Sequence, residues 1–133
     1  MTKLIKKLSE AKTVFFFSLL YTILITFAFL SPINSTVTLD INVPIDKVIH
    51  TTLYFILTIL WLGYMIISRN SNNRIKIVIV FIAISIIYGT VIEVVQELYI
   101  PTRGADLLDV FANTIGVILG SLLILNVKNR IKS

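Results

Sequence analysis

Ile92–Gly116 reads IEVVQELYIPTRGADLLDVFANTIG. Both arms of this stretch are apolar enough to lie in a membrane, yet Glu93, Gln96, Glu97, Arg103, Asp106, Asp109 and Asn113 interrupt them. A connection at Pro101–Asp106 separates the arms, so the stretch is predicted to be two helices joined by a tight turn, with polar groups down both walls.

Composition sets the class around that hairpin. The chain has 133 residues, of which 56% are hydrophobic and 14% charged, and its mean hydropathy is +0.93. Soluble domains carry about 25% charged and about 45–50% apolar residues, so this composition belongs in a bilayer. The length suits a single membrane domain, residues 1–133. Without cysteine there is no disulfide framework, thiolate metal site or thiol nucleophile. The basic pI of about 9.6 does not point to nucleic acid. The lysines and arginines fall mostly in short clusters, which in a membrane chain set topology.

A helix needs about 20 mostly apolar residues to cross the hydrocarbon core. Four segments qualify, at residues 14–30, 48–68, 75–100 and 107–127. The predicted fold is therefore an all-α integral membrane protein, a four-transmembrane-helix bundle. The first span has a basic start but no small-residue cleavage site at Phe29-Leu30, so it is expected to remain as an uncleaved anchor.

Orientation follows from the basic residues. Lys3, Lys6, Lys7 and Lys12 precede the first span, Arg69, Arg74 and Lys76 lie between the second and third, and Lys128, Arg130 and Lys132 follow the fourth. The other two connections are acidic or mixed: Asp40, Asp46 and Lys47 in one, Arg103 and Asp106 in the other. Three basic clusters alternating with two such loops predict cytoplasmic N- and C-termini.

With that topology the polar residues gather in one extracytoplasmic layer. Asp46, Lys47 and His50 open the second helix, Glu93, Gln96 and Glu97 close the third, and Asp109 and Asn113 begin the fourth. At 1.5 Å per residue, Glu93 lies about 10 Å below Pro101, Asn113 about 10 Å below Asp106, and His50 about 6 Å below Asp46. Glu93, Gln96 and Glu97 share a face by their i, i+3, i+4 spacing, as do Asp46, His50 and Tyr54 at i+4. Asp106, Asp109, Asn113, Gly116 and Gly120 make one seam, whose glycines allow close helix packing in lipid. Three helices are thus expected to converge on a buried polar pocket.

The segments DKVIHTTLYFIL and YGTVIEVVQELYIPTRGADLLDVFANTIGVILG together resemble the VanZ-like membrane proteins. The shared pattern is Asp-Lys-x-x-His followed by Tyr, then an acidic residue with Gln, an Arg in a short loop, Asp-x-x-x-Asn and glycines. It falls on Asp46, Lys47, His50, Tyr54, Glu93, Gln96, Arg103, Asp109, Asn113, Gly116 and Gly120. Many members carry Ser or another small residue where this chain has Gly104-Ala105-Asp106, so no serine role is carried over. The resemblance implies a bacterial cell-envelope protein. The family takes its name from a protein associated with resistance to teicoplanin, a lipid-tailed glycopeptide acting at the outer face of the membrane on wall precursors.

Three functions stay open at this level. The pocket binds a lipid-linked cell-wall precursor, a phospholipid or a lipoglycopeptide, with Arg103 and Lys47 gripping phosphate or carboxylate. Alternatively, His50, Glu93 and Asp109 perform acid–base hydrolysis or transfer on a lipid head group, without a nucleophile elbow, metal box or phosphate loop. The third reading is a non-catalytic scaffold subunit. Glu93 is expected to pair with His50 or Lys47, and Glu97, Arg103 and Asp106 to fix the loop as an ion cluster. Gln96 and Asn113 are assigned to interhelical hydrogen bonding, and Asp109 to complementing the fourth helix's dipole. Trp61 and Tyr64 read as an interfacial belt. No cofactor is expected. A metal on His50, Glu93 and Asp109 is weakly signalled by a single histidine on separate helices, so none is assigned.

Overall fold

The computed structural model describes residues 2–32, 45–69, 73–101 and 104–132. Among them every regular element is helical: α1 (Thr2–Leu30), α2 (Ile45–Ser68), α3 (Arg74–Tyr99) and α4 (Leu107–Lys132). Each is long and apolar enough to cross a membrane, over Ile5–Leu30, Ile45–Ser68, Arg74–Tyr99 and Leu107–Val127.

α1 begins twelve residues before the predicted span because helix formation and lipid burial are separate requirements. Lys3, Leu4, Lys6, Lys7, Leu8, Glu10 and Ala11 are favourable helix formers, so the backbone continues where the apolar run has not yet begun. The end of α4 continues through its basic residues for the same reason.

Local chemistry explains the other boundaries. Asn73 caps α3 by accepting from the Lys76 N–H through Oδ1 at 3.3 Å. α3 stops at Ile100, whose extended backbone precedes Pro101, a residue that cannot donate to continue the ladder. Asp106 caps α4: its Oδ1 accepts from the Leu108 N–H at 2.8 Å, and its carbonyl accepts from the Asp109 N–H at 2.9 Å.

α2 and α4 form the most extensive helix pair, and α3 touches α2 least. The α2–α4 pair is close because Gly116 and Gly120 lie directly on the α2 backbone. A Cβ at Gly116 would land on the Thr51 carbonyl oxygen and 3.0 Å from Phe55 N, and one at Gly120 would lie 2.9 Å from Thr58 Cβ. α1 is tied across to its neighbours by Tyr21 Oη donating to the Leu53 carbonyl at 3.0 Å, Trp61 Nε1 donating to Thr22 Oγ1 at 2.9 Å, and Thr26 bonding Tyr88 at 2.6 Å. Trp61 is thus engaged between α1 and α2, with Phe15 5.9 Å away. Outside the bundle the helices present Phe16, Phe27, Ile79, Ile87 and Leu119 to their surroundings, a surface suited to lipid.

The antiparallel order places the end of α1, the start of α2, the end of α3 and the start of α4 at the same end of the bundle. Most of the predicted polar residues meet there.

Candidate functional site

Lys47 stands at the centre of the charged part of this end. Its ammonium donates to Asp106 Oδ2 at 2.5 Å and to Asp109 Oδ1, and Asp46 Oδ2 lies 3.6 Å away. Its partners are therefore Asp106 and Asp109 rather than the expected Glu93. The α2–α4 contact carries the first turn of α2 onto the start of α4, whereas α3 approaches α2 only weakly. Asp106 is likewise drawn to Lys47 and not into a cluster with Glu97, which is exposed at the end of α3. Arg103, the other member of that expected cluster, and Asp40 lie outside the described residues. With Lys47 already facing three carboxylates, it is not a free grip for an anionic ligand. The Lys47 ammonium, and next the Leu108 N–H, hold the Asp106 carboxyl below the usual carboxylate range.

One turn deeper, His50 is almost fully buried, 3% exposed. Its ring stacks on Phe29 of α1, with centroids 4.7 Å apart. Nδ1 lies 3.0 Å from Asn113 Oδ1. An amide oxygen only accepts, so Nδ1 donates to Asn113 and Nε2 is the ring nitrogen left to face the other side. That Nε2 faces Asp46 Oδ1 and Asp109 Oδ2, each at 3.9 Å, beyond hydrogen-bond distance. Asp46 itself is exposed, so of the predicted α2 face only His50 and Tyr54 are buried.

Glu93 enters from α3, also 3% exposed. Its Oε2 accepts from the Asp106 N–H at 3.3 Å, and its Oε1 has no hydrogen-bond partner among the described residues. Neither His50 nor Lys47 is its hydrogen-bonding partner. Tyr54 is fully buried and its hydroxyl is likewise unpaired. Gly89 floors this corner: a Cβ there would sit 3.1 Å from Asn113 Nδ2 and 3.2 Å from Tyr54 Oη. Gln96 turns away from this cluster and donates through Nε2 to the Phe29 carbonyl at 2.8 Å, tying α3 to α1.

The fold thus brings Asp46, Lys47, His50, Tyr54, Glu93, Asp109 and Asn113 to one end, with Gly116 and Gly120 as the packing seam beneath. It adds Phe29 and Gly89, which the sequence reading passed over. Gly89 was within reach, because it precedes Glu93 by one helical turn and so extends the Gln96–Glu93 face. Phe29 was not, because nothing in an apolar span marks which aromatic will meet a distant histidine. Among the described residues, the His/Asp/Glu atoms placed to share a cation are those of Asp46, His50 and Asp109, all within 4.8 Å of one another. Glu93 is not in that set.

A protein-family model described as VanZ/LLP1 matches residues 3–128, nearly the whole chain. No curated protein and no solved structure matches it.

Proposed function

This chain is a member of the VanZ/LLP1 family, and from that premise we propose that its polar end takes in the head group of an envelope lipid or lipid-linked ligand and acts on it by acid–base chemistry. One observation carries the reading: Glu93 Oε1 and Tyr54 Oη are buried among membrane-spanning helices without a hydrogen-bond partner among the described residues. Each such atom costs about 1–3 kcal/mol, which a polar cluster serving only to lock the bundle would have no reason to retain. A ligand supplying a donor to Glu93 and a polar atom to Tyr54 offsets that cost. Intramembrane acids also belong, as a rule, to functional sites.

The roles follow from geometry. Asn113 holds the His50 ring through Nδ1, leaving Nε2 to accept a proton from an attacking water or hydroxyl. Glu93 is the second acid–base group, on the next helix in the chain and beside the same cluster. The described charges, Lys47 against Asp46, Asp106 and Asp109, sum to a negative site. A cationic head group is attracted directly, whereas a phosphate needs Arg103 or a bound cation.

Ligand capture without turnover is the second reading, and an apolar groove favours it. The groove, of about 290 Å³, is lined by Thr22, Leu57, Trp61, Phe81, Ile84 and Tyr88 and begins just beyond the Tyr54–Tyr88 ring pair. It offers a channel for an acyl chain beneath a polar head, which a lipid-tailed glycopeptide also possesses.

The distribution of the basic clusters supports a site on the extracytoplasmic side of a bacterial membrane. Gly104 is exposed, a Cβ there meets nothing, and the chain lacks cysteine. Gly104→Cys should therefore react with an impermeant thiol reagent on intact cells, and labelling only after lysis would reverse the orientation. For function, the protein in nanodiscs is incubated with phospholipids, lipid-linked wall precursors and teicoplanin, and products are read by mass spectrometry. Turnover lost in His50→Ala and Glu93→Gln supports the enzyme, and stoichiometric retention without product supports capture. Neither turnover nor retention, with both variants as protective against teicoplanin as the parent, leaves the scaffold.

A further inference from the structure

We propose that Asp46 Oδ1, His50 Nε2 and Asp109 Oδ2 form a binding site for a single divalent transition-metal cation, Zn²⁺ or Mn²⁺. The site takes His50 Nε2 out of the base role given above, so with the cation bound the acid–base work falls to Glu93; the head-group reading otherwise stands apart from it.

The first ground is convergence. The three ligand atoms lie within 4.8 Å of one another, with Nε2 3.9 Å from each carboxylate oxygen. Donors sharing one tetrahedral ion at 2.0–2.2 Å are roughly 3.3–3.6 Å apart, so closing on a cation needs movements of only about half an ångström. Asp46 is one turn before His50 on α2, and Asp109 opens α4, where the close α2–α4 packing sets the separation.

The second ground is independent of the cluster's acidity. His50 is 3% exposed, and its Nε2 points at two carboxylates without a hydrogen bond. Asn113 occupies Nδ1, so Nε2 and the two carboxylate oxygens converge with no direct bond among them. Either a proton on Nε2 or a cation seated between the three atoms would relieve the repulsion of the two carboxylates, and the response of the imidazole resonances to added metal tells the two apart.

Third, the surrounding groups orient the three atoms. Asn113 fixes the ring through Nδ1, the usual manner in which a metal-bound imidazole is held. Lys47 takes the other oxygen of each carboxylate, Asp109 Oδ1 by a hydrogen bond and Asp46 Oδ2 at 3.6 Å, so that Oδ2 of Asp109 and Oδ1 of Asp46 turn toward His50. Lys47 is therefore a positioning residue that neutralises part of the charge without blocking the His50 side. One imidazole with two carboxylates suits Zn²⁺ or Mn²⁺ better than Ca²⁺ or Mg²⁺, which favour oxygen alone. Three protein ligands also leave a position for water or a phosphate oxygen, matching a site that is otherwise too acidic for a phosphate. The sequence spacing argued against a metal because the ligands are spread over separate helices; the fold removes that separation.

The test uses tag-free full-length protein in nanodiscs, titrated with Zn²⁺ and Mn²⁺ and, for comparison, Mg²⁺ and Ca²⁺. Binding should saturate at one Zn²⁺ or Mn²⁺ per chain. His50→Gln, Asp109→Asn and Asp46→Asn should each weaken it at least about 100-fold, and Asn113→Ala about 10–100-fold. Glu97→Gln, an exposed acid at the same end, should leave it unchanged. A variant that fails to fold is bypassed by the parent itself, whose only histidine is His50. In protein labelled with ¹⁵N-histidine, Zn²⁺ should shift the single Nε2 resonance and leave Nδ1 protonated. The proposal is overturned if neither Zn²⁺ nor Mn²⁺ binds stoichiometrically, if His50→Gln binds as the parent does, or if the imidazole resonances do not respond. Because no lipid ligand is added, failure here leaves the head-group reading standing, and loss of turnover with metal binding intact does the reverse.

Discussion

The middle of the bundle and its polar end are built from the same helices but treat polar atoms in opposite ways. In the middle, Ser18, Thr22, Thr26, Thr58 and Ser121 each donate to the carbonyl four residues earlier at 2.7 Å. The Trp61 N–H finds Thr22 there, and the Tyr21 hydroxyl finds Leu53. Satisfied groups of this kind let a helix sit in lipid at little expense. At the end, charges pair between helices distant in sequence, and among the described residues Glu93 Oε1 and Tyr54 Oη are left without hydrogen bonds, while His50 Nε2 faces two carboxylates only at 3.9 Å. Pairing that is complete in one region and incomplete in the other is the contrast on which the proposed ligand site rests.

The largest expected contrast tests that division. Glu93→Gln should retain membrane abundance, because it keeps the shape and the contact with Asp106, yet lose about 10²–10⁴-fold in turnover. Thr58→Val, which removes one satisfied hydroxyl on α2, should leave turnover within about twofold and lower stability by about 1 kcal/mol. Equal losses in both variants would erase the distinction.

Next in size is a contrast between two glycines. A Cβ at Gly116 collides with the Thr51 carbonyl, whereas one at Gly63 meets nothing within 4 Å. Gly116→Val should destabilise the bundle by about 1–3 kcal/mol or more through separation of α2 from α4, moving Asp109 and Asn113 away from His50. Gly63→Ala should be neutral or slightly stabilising, because Ala favours helix by about 1 kcal/mol over Gly. Thermal unfolding in detergent reads both.

How much of this was visible beforehand divides along the same line. Four spans were legible because apolar runs of helical length have no other use, and Gly116 and Gly120 announced a seam by their spacing. Bringing His50, Glu93, Asp109 and Asn113 to one end followed from topology alone. Pairings did not. Glu93 was matched to Lys47 or His50 by sign and depth, but partner choice depends on which helices touch, and α2 lies on α4 far more than on α3. Asp106 illustrates the consequence: read as part of a loop cluster, it caps α4 and holds Lys47 at the same time. α1 starts ahead of the expected span for a different reason, since lysines and a glutamate continue a helix without making it apolar.

The smallest predicted effect is a shift in acid sensitivity, and it separates the two roles of Asp106. Its carboxyl is held below the usual aspartate range, first by Lys47 and then by the Leu108 N–H. A group whose folded-state pKa is depressed contributes stability that is fully present above its unfolded pKa and is lost as pH falls through the folded one. In the parent, that loss should therefore begin only in acid, below the ordinary aspartate range of about 3.9. Lys47→Gln removes the principal cause and leaves the cap, so its acid unfolding should begin at higher pH than the parent's. Asp106→Asn, which retains a capping side chain but no charge, should remove this residue's part of the acid dependence. Coincident acid transitions for the parent and Lys47→Gln would mean that the cap, not the ion pair, governs Asp106. In that case Lys47 would act on the polar end through Asp109 alone.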